Sequence, residues 1–99
     1  MSLFKPIWFQ IESHYHANKI TKLSGNDFID LIEAISKKEK LTCSPSRLTL
    51  YTKKKADSQF ITLNNKIFKD CQKNFNNLTG IYEIDEDNPI RVKLPGMCF

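Results

Sequence analysis

Asn26-Asp27-Phe28-Ile29-Asp30-Leu31-Ile32-Glu33-Ala34-Ile35-Ser36-Lys37-Lys38-Glu39-Lys40 reads as one amphipathic helix. Phe28, Leu31, Ile32 and Ile35 fall at i, i+3, i+4 and i+7, which aligns them as a single apolar stripe. Ser24-Gly25-Asn26-Asp27 offers two possible N-caps, and Ser24-x-x-Asp27 has capping-box spacing. Asp27, Asp30 and Glu33 lie early while Lys37, Lys38 and Lys40 lie late, the charge order a helix dipole favours. Such a stripe needs an apolar surface to lie on, and the flanking sequence supplies strands.

Upstream, Ile7, Phe9 and Ile11 alternate with Trp8, Gln10 and Glu12, the period of a half-buried strand. Residues 13–18 are polar enough for a turn, and Lys19 to Leu23 reads as a second strand that pairs antiparallel with the first. Downstream, Ser44-Pro45-Ser46 breaks the chain before a third strand, Arg47 to Thr52. Its Leu48 and Leu50 face inward, and Lys53-Lys54-Lys55 ends it. Phe60 to Leu63 is a short strand or extended segment. Asn64 or Asn65 caps a second helix from Lys66 to about Asn74, with Ile67, Cys71 and Phe75 inward and Asn76-Asn77 as its end. Leu78 to Ile84 reads as irregular, residues 85–89 as an acidic turn, and Ile90, Val92 and Leu94 as the inward side of a last strand. This order predicts an α+β domain of the ubiquitin-like β-grasp class. A mixed sheet of four to five strands is covered by one long helix, with a short second helix beside it.

A chain of 99 residues makes one domain, 1–99, of about the size that buries a core without help. Three glycines and four prolines leave no linker or low-complexity tract. The net charge of +4 suits an acidic partner, such as nucleic acid, anionic lipid or an acidic protein face, although 11 acidic residues are interspersed among 15 basic ones. No apolar run approaches a membrane span or a secretory signal. Cys43, Cys71 and Cys98 match no zinc or disulfide spacing, so reduced thiols are expected.

Three segments, taken in order, resemble the amino-terminal domain of Crinkler effectors of oomycetes and fungi. Residues 3–40 carry the strand pair and the Leu31-Ile32-Glu33-Ala34-Ile35 helix. Leu48-Thr49-Leu50-Tyr51-Thr52-Lys53-Lys54 is similar to the LxLFLAK stretch, with Tyr51 for its phenylalanine and Lys53 or Lys54 for its lysine. Ile90-Arg91-Val92-Lys93-Leu94-Pro95 resembles the closing HVLVVVP motif. Thr52 and Lys53 stand where that family has Leu and Ala, and Ile90 stands for its histidine. The resemblance implies a translocation strand of Leu48, Leu50, Tyr51, Lys53 and Lys54, and a closing strand of Ile90, Val92, Leu94 and Pro95. It also implies a targeting module of a longer protein, secreted and delivered to a host cell, often to the nucleus, with a protein partner in the host or in its own carboxy-terminal domain.

Side-chain chemistry points the same way. His14 and His16 lie at i and i+2, yet no neighbour in sequence completes a metal site, so no metal and no cofactor are expected. Both histidines fall in one turn, away from Cys71, which leaves no Cys-His nucleophile. Glu83-Asp85-Glu86-Asp87 lacks the glycine and spacing of a calcium loop, and no glycine-rich loop cradles a phosphate. No enzyme and no small-molecule substrate are therefore expected. Arg47, Lys53, Lys54 and Lys55 form a basic patch for an anionic surface or a receptor, or else a solvated strand end that discourages aggregation. Asn77-Leu78-Thr79 is a glycosylation sequon. The alternative expectation is a cytoplasmic adaptor of the ubiquitin-like or Ras-binding type, docking a protein through a strand edge and these basic residues.

Overall fold

The alternation that begins the chain becomes β1 (Ile7–Ile11), whose odd residues are fully buried and whose even residues are half exposed. The computed structural model describes residues 6–23, 25, 27–71 and 75–96. Ser24 and Asn26 of the expected cap, residues 72–74 of the expected second helix, and Cys98 lie outside them. The other strands are β2 (Asn18–Ile20), β3 (Thr49–Lys54), β4 (Phe60–Leu63), β5 (Tyr82–Glu83) and β6 (Ile90–Lys93). Helices α1 (Phe28–Lys38), α2 (Asn65–Asp70) and α3 (Phe75–Ile81) complete the α+β domain.

The strands form one mixed sheet in the order β2-β1-β6-β3-β4, and β5 pairs with β3 off that path. β1 and β6 run parallel and every other pair is antiparallel. β3 is bordered along one side by β4, and along the other first by β6 and then by β5. In register, Ile11 lies beside Val92, Val92 beside Leu50 and Leu50 beside Leu63, a buried row across four strands. Leu31, Ile32 and Ile35 of α1 join this row in one core, with Phe28 partly buried against it.

The ends of α1 explain its length. Asp27 is the N-cap, and its backbone N–H donates to Asp30 Oδ2 at 3.0 Å, a cap reciprocated three residues on. The chain at Gly25 runs so close to the Asp30 carboxylate that any Cβ there would collide with it. At the other end Lys40 takes the left-handed conformation (φ 54°). Its N–H bonds Lys37 O at 3.2 Å, and that of Leu41 bonds Ser36 O at 2.9 Å, a Schellman stop.

Four boundaries depart from the sequence reading. β2 covers Asn18–Ile20 rather than Lys19 to Leu23, so only its first part pairs with β1. Arg47 belongs to a 3-10 turn, Pro45–Arg47, with Pro45 fixing its first position. β3 then runs on through Lys53 and Lys54, because β5 and β4 supply ladder partners on both sides. The stretch read as irregular contains α3 and β5, and Asn76-Asn77 lies in the first turn of that helix instead of ending the one before. Asn64 is the cap of α2, its Oδ1 accepting from Ile67 N–H at 3.0 Å.

Candidate functional site

Strand geometry sorts side chains by parity: what the core does not take projects from the outer face of the sheet. Across the middle of that face Gln10, Arg91, Tyr51 and Thr62 stand side by side in register on β1, β6, β3 and β4. One row away, Trp8 pairs with Lys19, and Lys53 with Phe60 and Glu83. On the opposite side of the Arg91 row, Lys93 lies beside Thr49. Phe60 keeps 52% of its surface exposed, much for so large an apolar ring. Gln10, Glu12, Tyr51, Phe60, Arg91 and Lys93 border an open groove of about 360 Å³.

Cations of this face are held over its rings. Lys19 Nζ sits 5.3 Å from the Trp8 ring centroid, and the Arg91 guanidinium 5.8 Å from that of Phe60. Lys53 Nζ pairs with Glu83 Oε2 at 3.4 Å, which neutralises one cation locally. Arg91 and Lys93 are both exposed, and neither forms an ion pair with a described residue.

Residues 5–95 match the model of a family described as a domain of unknown function, DUF8732. The chain belongs to the DUF8732 family. No curated protein and no solved structure matches it.

The translocation-like strand of this DUF8732 domain divides between core and surface. Leu48 and Leu50 are buried at 7% and 1% exposure, whereas Tyr51 and Lys53 are half-buried on the outer face. The closing strand divides likewise: Ile90 and Val92 are fully buried, and Leu94 and Pro95 are half-buried beyond it. The basic patch is dispersed. Lys53 and Lys54 point to opposite sides of β3 because they are adjacent in a strand, Lys55 follows it, and Arg47 lies beyond the other end.

Thr52 occupies a leucine-like inward position, 1% exposed, and no described residue hydrogen-bonds its Oγ1. A buried hydroxyl without a partner costs about 1–3 kcal/mol, and valine keeps the branched shape without it. Thr52→Val is therefore expected to stabilise the domain by about 1 kcal/mol, raising Tm by roughly 4–8 °C. An unchanged or lowered Tm in a thermal melt would show that the hydroxyl is satisfied.

Both histidines of the first turn are exposed, and His14 Nδ1 lies 3.4 Å from Glu39 Oε2, a pairing that ties the turn to the end of α1. Among the described residues no group of three His, Cys, Asp or Glu is placed to hold a metal ion. The sequon is built into α3: Leu78 and Thr79 are buried, and the Asn77 amide donates to Cys71 O at 3.1 Å. No helix of the described residues is long and apolar enough to cross a membrane.

Of the cysteines, Cys71 is free and buried, as a reduced thiol is expected to be. Burial, and then the nearby Asp70 carboxylate, push the Cys71 thiol above its ordinary 9.0. Burial, with Cys71 and Asp70 adding to it, pushes Tyr82 above its ordinary 10.0. Both groups hold their protons in the folded state at a pH where the unfolded chain releases them. Stability is thus fully present below pH 9.0 and falls as the pH rises through 9.0 and then 10.0. Urea midpoints measured across that range are expected to decline, and Cys71→Val to remove the earlier part of the decline. A midpoint flat to pH 11 would contradict this, about one unit past the tyrosine's ordinary value.

Proposed function

We propose that this DUF8732 domain is a non-catalytic recognition module of the ubiquitin-like β-grasp type, the targeting header of a Crinkler-type effector. It works by presenting the outer face of its sheet to a protein partner. The β-grasp reading is supported by the strand order, in which a hairpin is followed by a long helix and the first and last strands run parallel at the centre. The Crinkler reading is supported by the three ordered motifs.

The observation that carries the binding role is the outer face itself. Trp8, Tyr51 and Phe60 stand among Lys19, Arg91 and Lys93 on a rigid sheet, and aromatic residues mixed with arginine are what interfaces use for anchoring. A test must leave Leu48 and Leu50 alone, because they are core. We expect a secreted reporter fused to the domain to lose delivery into host cells on combined Tyr51→Ala and Lys53→Ala replacement. The variant's circular dichroism should match that of the parent. A folded variant delivered as well as the parent would overturn the targeting role.

A further inference from the structure

We infer that the partner docks as an extended acidic peptide along β6, with carboxylates at alternate positions taken by Arg91 and Lys93. This rests on the reading of the outer face as the working surface and adds the chemistry of what it binds. Arg91 and Lys93 are successive outward residues of one strand, so their attachment points lie roughly 6.6 Å apart. An extended peptide repeats its side chains on one side at the same interval. Glutamates or aspartates at i and i+2 therefore meet both cations in register.

The neighbours of Arg91 suit a peptide. Gln10 on β1 and Tyr51 on β3 flank it in register, offering an amide and a phenol that bond to peptide groups. Phe60, half exposed where it borders the groove, keeps apolar surface open beside the Arg91 guanidinium on its ring. Arg91 binds a carboxylate with two parallel N–H donors, which fixes orientation as well as charge. Lys53 is already satisfied by Glu83, so the unpaired cations of the groove are Arg91 and Lys93 on β6.

A single nucleic-acid strand is the competing polyanion, and the face argues against it. Base stacking needs open ring faces, and two of the three outward aromatic rings already carry a cation of this chain. Glu12 borders the groove and Glu83 the Lys53 end, so a backbone with charge at every nucleotide meets repulsion on both sides. A peptide with only two carboxylates carries less charge past Glu12 and Glu83 than a chain charged at every nucleotide.

The test is fluorescence anisotropy with a labelled peptide of alternating glutamate and threonine. The controls are a peptide with as many glutamates at every third position, and an oligodeoxythymidine of similar length. The alternating peptide is expected to bind more tightly than either control and to weaken as salt is raised. Arg91→Ala with Lys93→Ala should weaken it by about tenfold, as the sum of two charge contacts of partly exposed type. No binding, equal binding of the every-third peptide, tighter binding of the oligonucleotide, or indifference to the double replacement would each overturn the inference. Reporter delivery by the same double variant separates this from the parent reading. Lost delivery without peptide binding overturns the acidic peptide and leaves the face standing; peptide binding with normal delivery overturns the targeting role alone.

Discussion

Leu50→Ala is expected to lower stability by about 2–5 kcal/mol, and Tm by 10 °C or more, while Tyr51→Ala beside it changes Tm by only a few degrees. Leu50 is 1% exposed and lies in register with Leu63 on one side and Val92 on the other, both buried. Truncating it opens a hole in the row that spans four strands, and the backbone ladders on both sides of β3 keep that hole from closing. A domain of this size has about 5–15 kcal/mol in total, so the loss is a large share of the whole. Tyr51 projects the other way and takes little from the core when shortened. Thermal melts of the two variants decide the matter, and similar losses would mean that the parity of β3 is misassigned. The functional consequence is direct. Any assay in which Leu48 or Leu50 is replaced reports folding, and only replacements of the outward Tyr51 and Lys53 test the proposed recognition role.

That split was legible in the sequence, because a strand's period of two puts Leu48 and Leu50 on one side and Tyr51 on the other. The same period makes Lys53-Lys54-Lys55 a poor patch, since neighbours in a strand diverge; read as a run of charge, the lysines looked like one surface. β1 and β6 were legible for the same reason as β3, and α1 for its four-residue stripe, which its caps trimmed to Phe28–Lys38. The outer face itself was missed. Trp8, Gln10, Tyr51, Arg91 and Lys93 are all outward by parity, but what brings them together is register between strands far apart in the chain. Periodicity within one strand carries no information about register. The second half of the domain was harder still. Helices of six and seven residues, α2 and α3, make about two turns each, too few for an apolar period to stand out from chance.

Phe68 is where that ambiguity has the largest energetic consequence. The spacing of Ile67, Cys71 and Phe75 at i, i+4 and i+8 suggests one helix with these residues on its apolar stripe, and does not single out Phe68. In the structure Phe68 is completely buried and Ile67 only partly so. Its ring centroid lies 4.8 Å from that of Phe75 and 6.3 Å from that of Phe28, at tilts of 47° and 48°, so one side chain joins α1, α2 and α3. Phe68→Ala should therefore cost about 3–5 kcal/mol, near the limit of what the domain tolerates, and Ile67→Ala clearly less. The continuous-helix alternative predicts the reverse order, so urea midpoints of the two variants distinguish them. Should Phe68→Ala fail to fold at all, Phe68→Leu keeps most of the volume and still removes the ring contacts. In a double-mutant cycle with Phe75→Leu it is expected to show a coupling of about 0.5–1.5 kcal/mol. A coupling near zero would mean that the rings share a core without supporting each other, and that α2 and α3 are held by burial alone.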